Sequence, residues 1–146
     1  MQKLTPFFPK LFARCTRAAS AVEFALVTPL FLAMVFGIVM FGSYFAVIHG
    51  VQQLAAEAAR VSIAGLNDTE RGNLARNYVT ANAATYPLIT PAKLGVTAAV
   101  SLGDANVFVV TLNYDASQMF IYALPSFVPV PSPAIVRSAA IPRGGY

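Results

Sequence analysis

The sequence has few of the residues that build catalytic or metal sites. It contains one cysteine, one histidine and six acidic residues in 146. The acids are scattered along the chain, and no group of His, Cys and carboxylate residues has the spacing of metal ligands. There is no Ser-His-Asp motif and no phosphate-binding glycine loop. We therefore expect that the protein is not an enzyme and that it holds no metal and no cofactor.

Charge is also scarce, since charged residues make up 11% of the chain and hydrophobic residues 57%. This composition is unlike that of an ordinary soluble protein surface. The net charge of +4 equals the contribution of the four basic residues that come first in the chain, Lys3, Lys10, Arg14 and Arg17. The remainder is about neutral, so the sequence shows no basic patch that would indicate nucleic-acid binding.

The single cysteine, Cys15, lies within this basic N-terminal segment. The chain that follows therefore cannot form an internal disulfide, and any domain it builds must be held together by packing alone. The basic segment itself contains Pro6 and Pro9, and we predict no stable fold there. Its apolar residues either rest on a membrane surface or belong to a flexible leader.

What the sequence has in abundance is one long apolar run. No side chain from Phe24 to Ile48 is charged, and as a helix at about 1.5 Å per residue the run is about 37 Å long. A bilayer's hydrocarbon core is about 30 Å thick, so the run can span it with some tilt. It is too long for a cleaved secretory signal, and no A-x-A site stands near its end. Since Lys and Arg stay in the cytoplasm, we expect the residues after His49 to lie outside.

One acid, Glu23, stands at the start of this run. A carboxylate within the hydrocarbon costs roughly 2.5–3.5 kcal/mol on insertion scales, so the position of Glu23 calls for a reason. Either Glu23 is hydrated at the headgroup level, or it pairs with a cation. A cut between Ala18 and Ala19 would create an α-amine four residues before Glu23. In a stack of offset subunits, that amine can pair with the carboxylate of a neighbour and fix the axial register of the helices.

The sequence after the run predicts two helices. The segment from Val51 to Ala64 is rich in alanine and contains no Gly or Pro, so we predict one helix from about Ala19 to Ala64. The alternative is a bend at Gly50 between its two halves. Its Leu54, Ala58 and Val61 fall on one face, while Glu57 can reach Arg60 on another. A second helix is predicted to begin at Asn67, because the spacing from Asn67 to Glu70 is that of a capping box. This second helix is predicted to end at Tyr86-Pro87.

From Val96 onward the apolar period changes to two. Residues 96–102 and 107–114 flank the turn residues Gly-Asp-Ala-Asn at 103–106, which predicts a β-hairpin. A third strand is predicted over 134–141, after a proline-broken stretch. We expect an α+β fold with a small antiparallel β-sheet of about three strands covered by the amphipathic helices.

The expected domain organisation has three parts. Residues 1–18 form a basic leader that is cleaved, residues 19–49 form a transmembrane helix, and residues 50–146 form an extracytoplasmic α+β domain.

From Arg17 to about Ala64 the chain resembles TadE-like minor pilins (pseudopilins) of the tight-adherence (Flp) type IV pilus system. The resemblance rests on the segments AVEFALVTPLF and QQLAAEAAR and on Phe-Gly pairs at 36–37 and 41–42. It implies that a prepilin peptidase cuts after Ala18, that Ala19 begins the mature chain, and that Glu23 is the family's fifth-position glutamate. Phe24 stands where major subunits of this system usually carry Tyr. The chain departs from the family at Ala18, where Gly is usual.

The resemblance also implies a function, partners and a location. The function is that of a structural subunit in the assembly or initiation of a pilus used in cell adhesion. The partners are the prepilin peptidase, other minor pilins, the major pilin, the platform proteins of the inner membrane and the lipid bilayer, without nucleic acid. The location is the bacterial inner (cytoplasmic) membrane, with the N-terminus in the cytoplasm. The alternative is a single-pass, signal-anchored protein whose outer domain binds a partner or a surface, and N-terminal processing distinguishes the two.

Overall fold

A single long helix, α1 (Thr16–Ser62), contains both the apolar run and the amphipathic segment that follows it. This confirms the predicted continuous helix, which passes through Gly50 without interruption. The computed structural model describes residues 16–143, with side chains from residue 20 onward. The basic segment before Thr16, including Cys15, therefore lies outside the described residues.

The chain divides into two compact units between Val39 and Met40. The first unit contains the part of α1 up to Val39, and the second contains the rest of α1 and everything after it. The second unit contains the only hydrophobic core that the described residues form. The predicted boundaries of leader, membrane span and outer domain concern the bilayer and the peptidase, and they remain predictions.

One stripe of α1 forms the base of this core. Its buried side chains recur every three or four residues, which is the spacing of one helix face. They are Tyr44, Val47, Val51, Leu54, Ala55, Ala58, Ala59 and Ser62. The stripe ends on Ser62, whose hydroxyl donates to the carbonyl of Ala59 at 2.7 Å. Val61, which we predicted on the buried face, is 38% exposed instead. The buried face of α1 therefore passes through Ser62, a small residue whose hydroxyl forms its hydrogen bond within the helix.

The second helix, α2 (Asp68–Asn82), begins at the predicted cap. The side chain of Asn67 accepts a hydrogen bond from the Glu70 backbone N–H at 2.9 Å, and the Glu70 carboxylate accepts from the N–H of Leu66 at 2.8 Å. The first bond is that of the usual capping box, whereas the second is made to the N–H of the residue before the cap instead of to that of Asn67 itself. Ala75 and Val79 are buried, and a short 3₁₀ turn, Ala83–Thr85, follows.

The connection between the two helices requires glycine at position 65. A Cβ atom there would lie 2.6 Å from Cγ of Arg71 and 2.7 Å from its backbone nitrogen. Arg71 also donates from Nε to the carbonyl of Gly65 at 3.0 Å and from Nη2 to the carbonyl of Arg143. One arginine therefore holds the start of α2 against both the end of α1 and the end of the chain's last strand.

Three strands form one antiparallel sheet in the order β1-β2-β3, as predicted. They are β1 (Leu94–Val100), β2 (Val107–Asp115) and β3 (Ala134–Pro142). In the central strand, Phe108, Val110, Leu112 and Tyr114 are all buried, which is the period-two pattern of a sheet with one covered face. Helix α2 packs against β1, and Gln52 of α1 donates to the carbonyl of Ser138 in β3 at 3.2 Å. The helices therefore cover one face of the sheet.

Candidate functional site

The part of α1 within the first unit exposes apolar side chains on all sides. Phe24 is 71% exposed, Leu26 is 74% exposed and Leu30 is 75% exposed. No residue of its most apolar window is buried. Apolar surface of this extent is stable only in an apolar environment. Among the described residues, this is the one helix that is long and apolar enough to cross a membrane.

Glu23 lies near the start of this apolar surface and is exposed. Within residues 16–143 the structure gives it no ion-pair partner. One turn later, the hydroxyl of Thr28 donates to the carbonyl of Phe24 at 2.6 Å, and Pro29 follows inside the helix. Because proline lacks an N–H, the helix loses one hydrogen bond at this point. The start of the apolar segment thus carries a carboxylate that has no ion-pair partner among the side chains of residues 20–143.

The predicted cleavage residues, Ala18 and Ala19, fall in the first turn of α1. Their side chains lie outside those that the structure describes. The structure therefore places Glu23 and Phe24 together on exposed helix, while the roles of Ala18, Ala19, Glu23 and Phe24 remain predictions.

The second unit contains a cluster of hydrogen-bond donors around the carboxylate of Glu57 in α1. The hydroxyls of Tyr78 and Tyr86 each donate to Oε2 of Glu57 at 2.7 Å, and Gln53 donates to Oε1 at 3.1 Å. These hydrogen bonds, led by that of Tyr78, lower the pKa of Glu57 below its ordinary value. Burial, together with the bond to Glu57, raises the pKa of Tyr86 to about 12. The cluster ties α1 to α2 and to the turn after it.

The sequence indicated a different partner for Glu57, namely Arg60 at the next turn. The described residues contain no salt bridge between the two; Arg60 is exposed and acts on Glu57 only through its charge. Two tyrosines far along the chain take its place, because α2 and the turn after it bring their hydroxyls to the polar face of α1. Periodicity within α1 carries no signal for this contact.

We expect the stability of the second unit to depend on pH through this cluster. Because folding lowers the pKa of Glu57, its contribution is complete above the ordinary value of 4.5 and is lost as pH falls below it. Because folding raises the pKa of Tyr86, that contribution is complete below 10.0 and is lost as pH rises towards about 12. Urea unfolding of the full chain in micelles at a series of pH values measures both losses.

Two variants separate the acid loss from the alkaline loss. Glu57→Gln should reduce the loss of stability at acid pH. Tyr86→Phe should reduce mainly the loss of stability at alkaline pH, since Tyr78 and Gln53 still donate hydrogen bonds to the carboxylate of Glu57. If Glu57→Gln lost as much stability at acid pH as the wild type, the loss could not be assigned to Glu57.

A shallow groove of about 320 Å³ lies between α2 and β1, lined by residues that include Asp68, Arg76 and Phe108. The carboxylate of Asp68 is engaged by Arg143 at 2.6 Å, an ion pair on the surface of the domain. Such exposed pairs contribute about 0–1 kcal/mol. The described residues contain no group of three or more His, Cys, Asp or Glu residues that could hold a metal ion, and His49 is exposed on α1.

A proline-rich connection between β2 and β3 is fastened to α1 near the start of the second unit. The hydroxyls of Tyr44 and Tyr122 each donate to the carbonyl of Ser132 at 3.0 Å. A short 3₁₀ turn, Phe120–Ala123, precedes this point and buries Ile121 in the core. The connection is therefore a defined part of the domain surface.

Comparison with known proteins gives one match. A family model described as TadE-like protein matches residues 18–60, which is less than half of the chain. The match is consistent with a TadE-like protein of the tight-adherence (Tad) pilus system, and it confirms the resemblance noted in the sequence over these residues. No curated protein and no solved structure matches the chain.

Proposed function

Starting from the TadE-like segment at residues 18–60, we propose that this chain is a minor pilin (pseudopilin) of a tight-adherence pilus, where it serves as a structural subunit in assembly or initiation. The observation that carries the proposal is the composition of α1. Up to Val39 it exposes apolar side chains with one acid at the start, and from Tyr44 onward its buried stripe forms the domain core. A subunit of this kind can be held in a bilayer or among the helices of other subunits.

Glu23 supports this role because it is the one charge on that otherwise apolar surface between Ala19 and Ile48. If the chain begins at Ala19 after processing, each subunit presents a positive α-amine and a negative carboxylate close together near its helix start. Between offset neighbours the two charges attract in a low dielectric, where the interaction is strong. The pair selects one register among apolar helices that could otherwise slide past each other.

The orientation follows from the basic residues before the span. Four of them, with no acid among them, support a cytoplasmic N-terminus and a second unit outside the inner membrane. The proposed partners are the prepilin peptidase, other minor pilins, the major pilin, the platform proteins of the inner membrane and the bilayer itself. The proposed role is structural and not catalytic.

A single-pass, signal-anchored protein with a partner-binding outer domain is the alternative. It accounts equally for the exposed apolar helix and for the packed second unit. It gives no reason for a carboxylate at the start of the span, and it requires no processing.

N-terminal processing tests the proposal. We expect mass spectrometry of the membrane-extracted protein to find a chain that begins at Ala19. Ala18→Phe should block the cut, because a bulky side chain replaces the small residue before the scissile bond, whereas Ala18→Gly, the usual residue of the family, should be cut at least as completely. An intact N-terminus in cells with an active prepilin peptidase would favour the signal-anchor alternative.

A further inference from the structure

The connection between β2 and β3, residues 116–133, exposes large apolar side chains on a folded domain. Phe127 is 84% exposed, Phe120 is 69% exposed and Val130 is 41% exposed. No charged residue occurs between Asp115 and Arg137. Contiguous apolar surface without charge marks a site of contact with a protein or a membrane. We refer to residues 116–133 as the β2–β3 segment.

The β2–β3 segment is held at one end of the second unit. Its Ser132 carbonyl accepts hydrogen bonds from Tyr44 and from Tyr122 at 3.0 Å each. Its Met119 and Leu124 pack against the same core as Met40 and Phe41, which are the first residues of the unit. Through the bond from Tyr44, the Ser132 end of the segment lies beside α1 near the start of the second unit.

The length of α1 sets the depth of that point relative to a bilayer. A hydrocarbon core about 30 Å thick takes about 20 helical residues. Counted from Phe24, the first residue after the acid, this length ends close to Ser43 and Tyr44. By this count Tyr44 would lie at the outer interface, and the Ser132 carbonyl that it binds would lie at the same level.

We propose that the β2–β3 segment is a membrane-docking surface that inserts Phe120 and Phe127 into the outer leaflet of the bilayer crossed by α1. Lipid is the occupant because the segment is fastened next to the point where the span leaves the hydrocarbon. The absence of charged side chains from residues 116–133 favours an apolar partner at this level, since no charged side chain of the segment itself would have to be desolvated. The inserted side chains would lie about 5–10 Å into the headgroup and acyl boundary, as interfacial anchors do. The proposal requires that α1 crosses a bilayer, and it does not require a pilus.

The chain contains no tryptophan, so a single introduced tryptophan reports on one position. The variants are Phe127→Trp and, as the matched control, Leu102→Trp. Leu102 is also fully exposed, but it lies in the hairpin before β2, whereas the β2–β3 segment follows β2. The hairpin lies at one end of β2 and the β2–β3 segment leaves from the other end, and the strand between them is about 30 Å long at about 3.3 Å per residue. Both substitutions fall on exposed side chains and leave the core intact.

The full chain is reconstituted in phosphatidylcholine vesicles, with and without bromine on the acyl chains, and tryptophan emission is recorded. We expect Phe127→Trp to emit at shorter wavelength than Leu102→Trp and to be quenched by brominated lipid, while the control is unaffected. The result should be the same in high salt, because screening weakens only charged contacts. Phe120→Trp should behave like Phe127→Trp.

Two results would overturn the proposal. Emission from Phe127→Trp that equals the control would show that the segment faces water. A shift to shorter wavelength without quenching by bromine would show that protein covers the segment instead of lipid. The vesicles contain no other pilin, so neither result depends on whether the chain assembles into a pilus.

Discussion

Glu23→Gln is expected to abolish pilus assembly while the protein is still made, inserted, cut and folded. Gln has nearly the shape of Glu, so the helix keeps its surface and loses only the negative charge. The α-amine of a neighbouring subunit would then remain without its counter-ion inside a packed bundle. The second unit contains the whole core of the described residues, and Glu23 lies in the first, so the fold of the domain should not change.

The expected size of this effect follows from the cost of leaving a buried charge unpaired. Removing one partner of a buried ion pair typically costs about 3–5 kcal/mol. At about 1.4 kcal/mol for each tenfold change, association with neighbouring subunits falls by two to three decades or more. If Glu23 instead lies hydrated at the headgroups, the same substitution removes an interaction with water only and should change little.

Co-purification of this protein with its partner pilins from membranes, together with a count of pili, measures the effect. Glu70→Gln is the matched control, because it makes the same chemical change at an exposed glutamate of the second unit. The amide oxygen of the introduced glutamine can still accept the hydrogen bond from the backbone N–H of Leu66. Normal co-purification and normal pili in the Glu23→Gln strain would show that the residue is an ordinary interfacial acid.

Much of the fold was predictable because its signals are local. The cap at Asn67 and Glu70, the hairpin turn at 103–106 and the alternation in β2 each involve residues within a few positions of one another. The helical character of both halves of α1 was predictable for the same reason, whereas the sequence left a bend at Gly50 open and the structure shows one continuous helix. The exposure of Glu23 and Phe24 follows from their place on that helix.

Contacts between distant segments were not predictable in this way. The Tyr86 hydroxyl that binds Glu57 lies 29 residues away, and the Ser132 carbonyl that binds Tyr44 lies 88 residues away. Which partner meets Glu57 depends on how α2 docks, and periodicity within one helix carries no information on that. The position of the β2–β3 segment was not predictable for the same reason, and its composition indicated only an apolar stretch broken by prolines.

Leu54→Ala should produce the largest loss of stability that a single truncation on α1 can produce. Leu54 is fully buried, and its neighbours on the buried stripe are mostly alanine or valine, so no other side chain of the helix can fill the space that it leaves. Truncating a buried leucine to alanine costs about 2–5 kcal/mol. Small domains have a free energy of unfolding of about 5–15 kcal/mol, so this loss is a large fraction of the total. No disulfide can compensate, since the single cysteine, Cys15, precedes the domain.

Urea unfolding of the full chain in micelles, followed by the near-ultraviolet circular dichroism of its tyrosines, measures this loss. Leu66→Ala removes the same atoms from a side chain that is 91% exposed, so we expect its midpoint to stay near that of the wild type. Equal midpoints for the two variants would show that Leu54 does not lie in the core. Insertion of Leu54→Ala into the membrane should be unaffected, because the apolar segment from Val22 to Val39 belongs to the other unit and has no part in that core. A variant that is inserted yet easily unfolded would therefore separate the anchoring role of α1 from its role as the base of the domain.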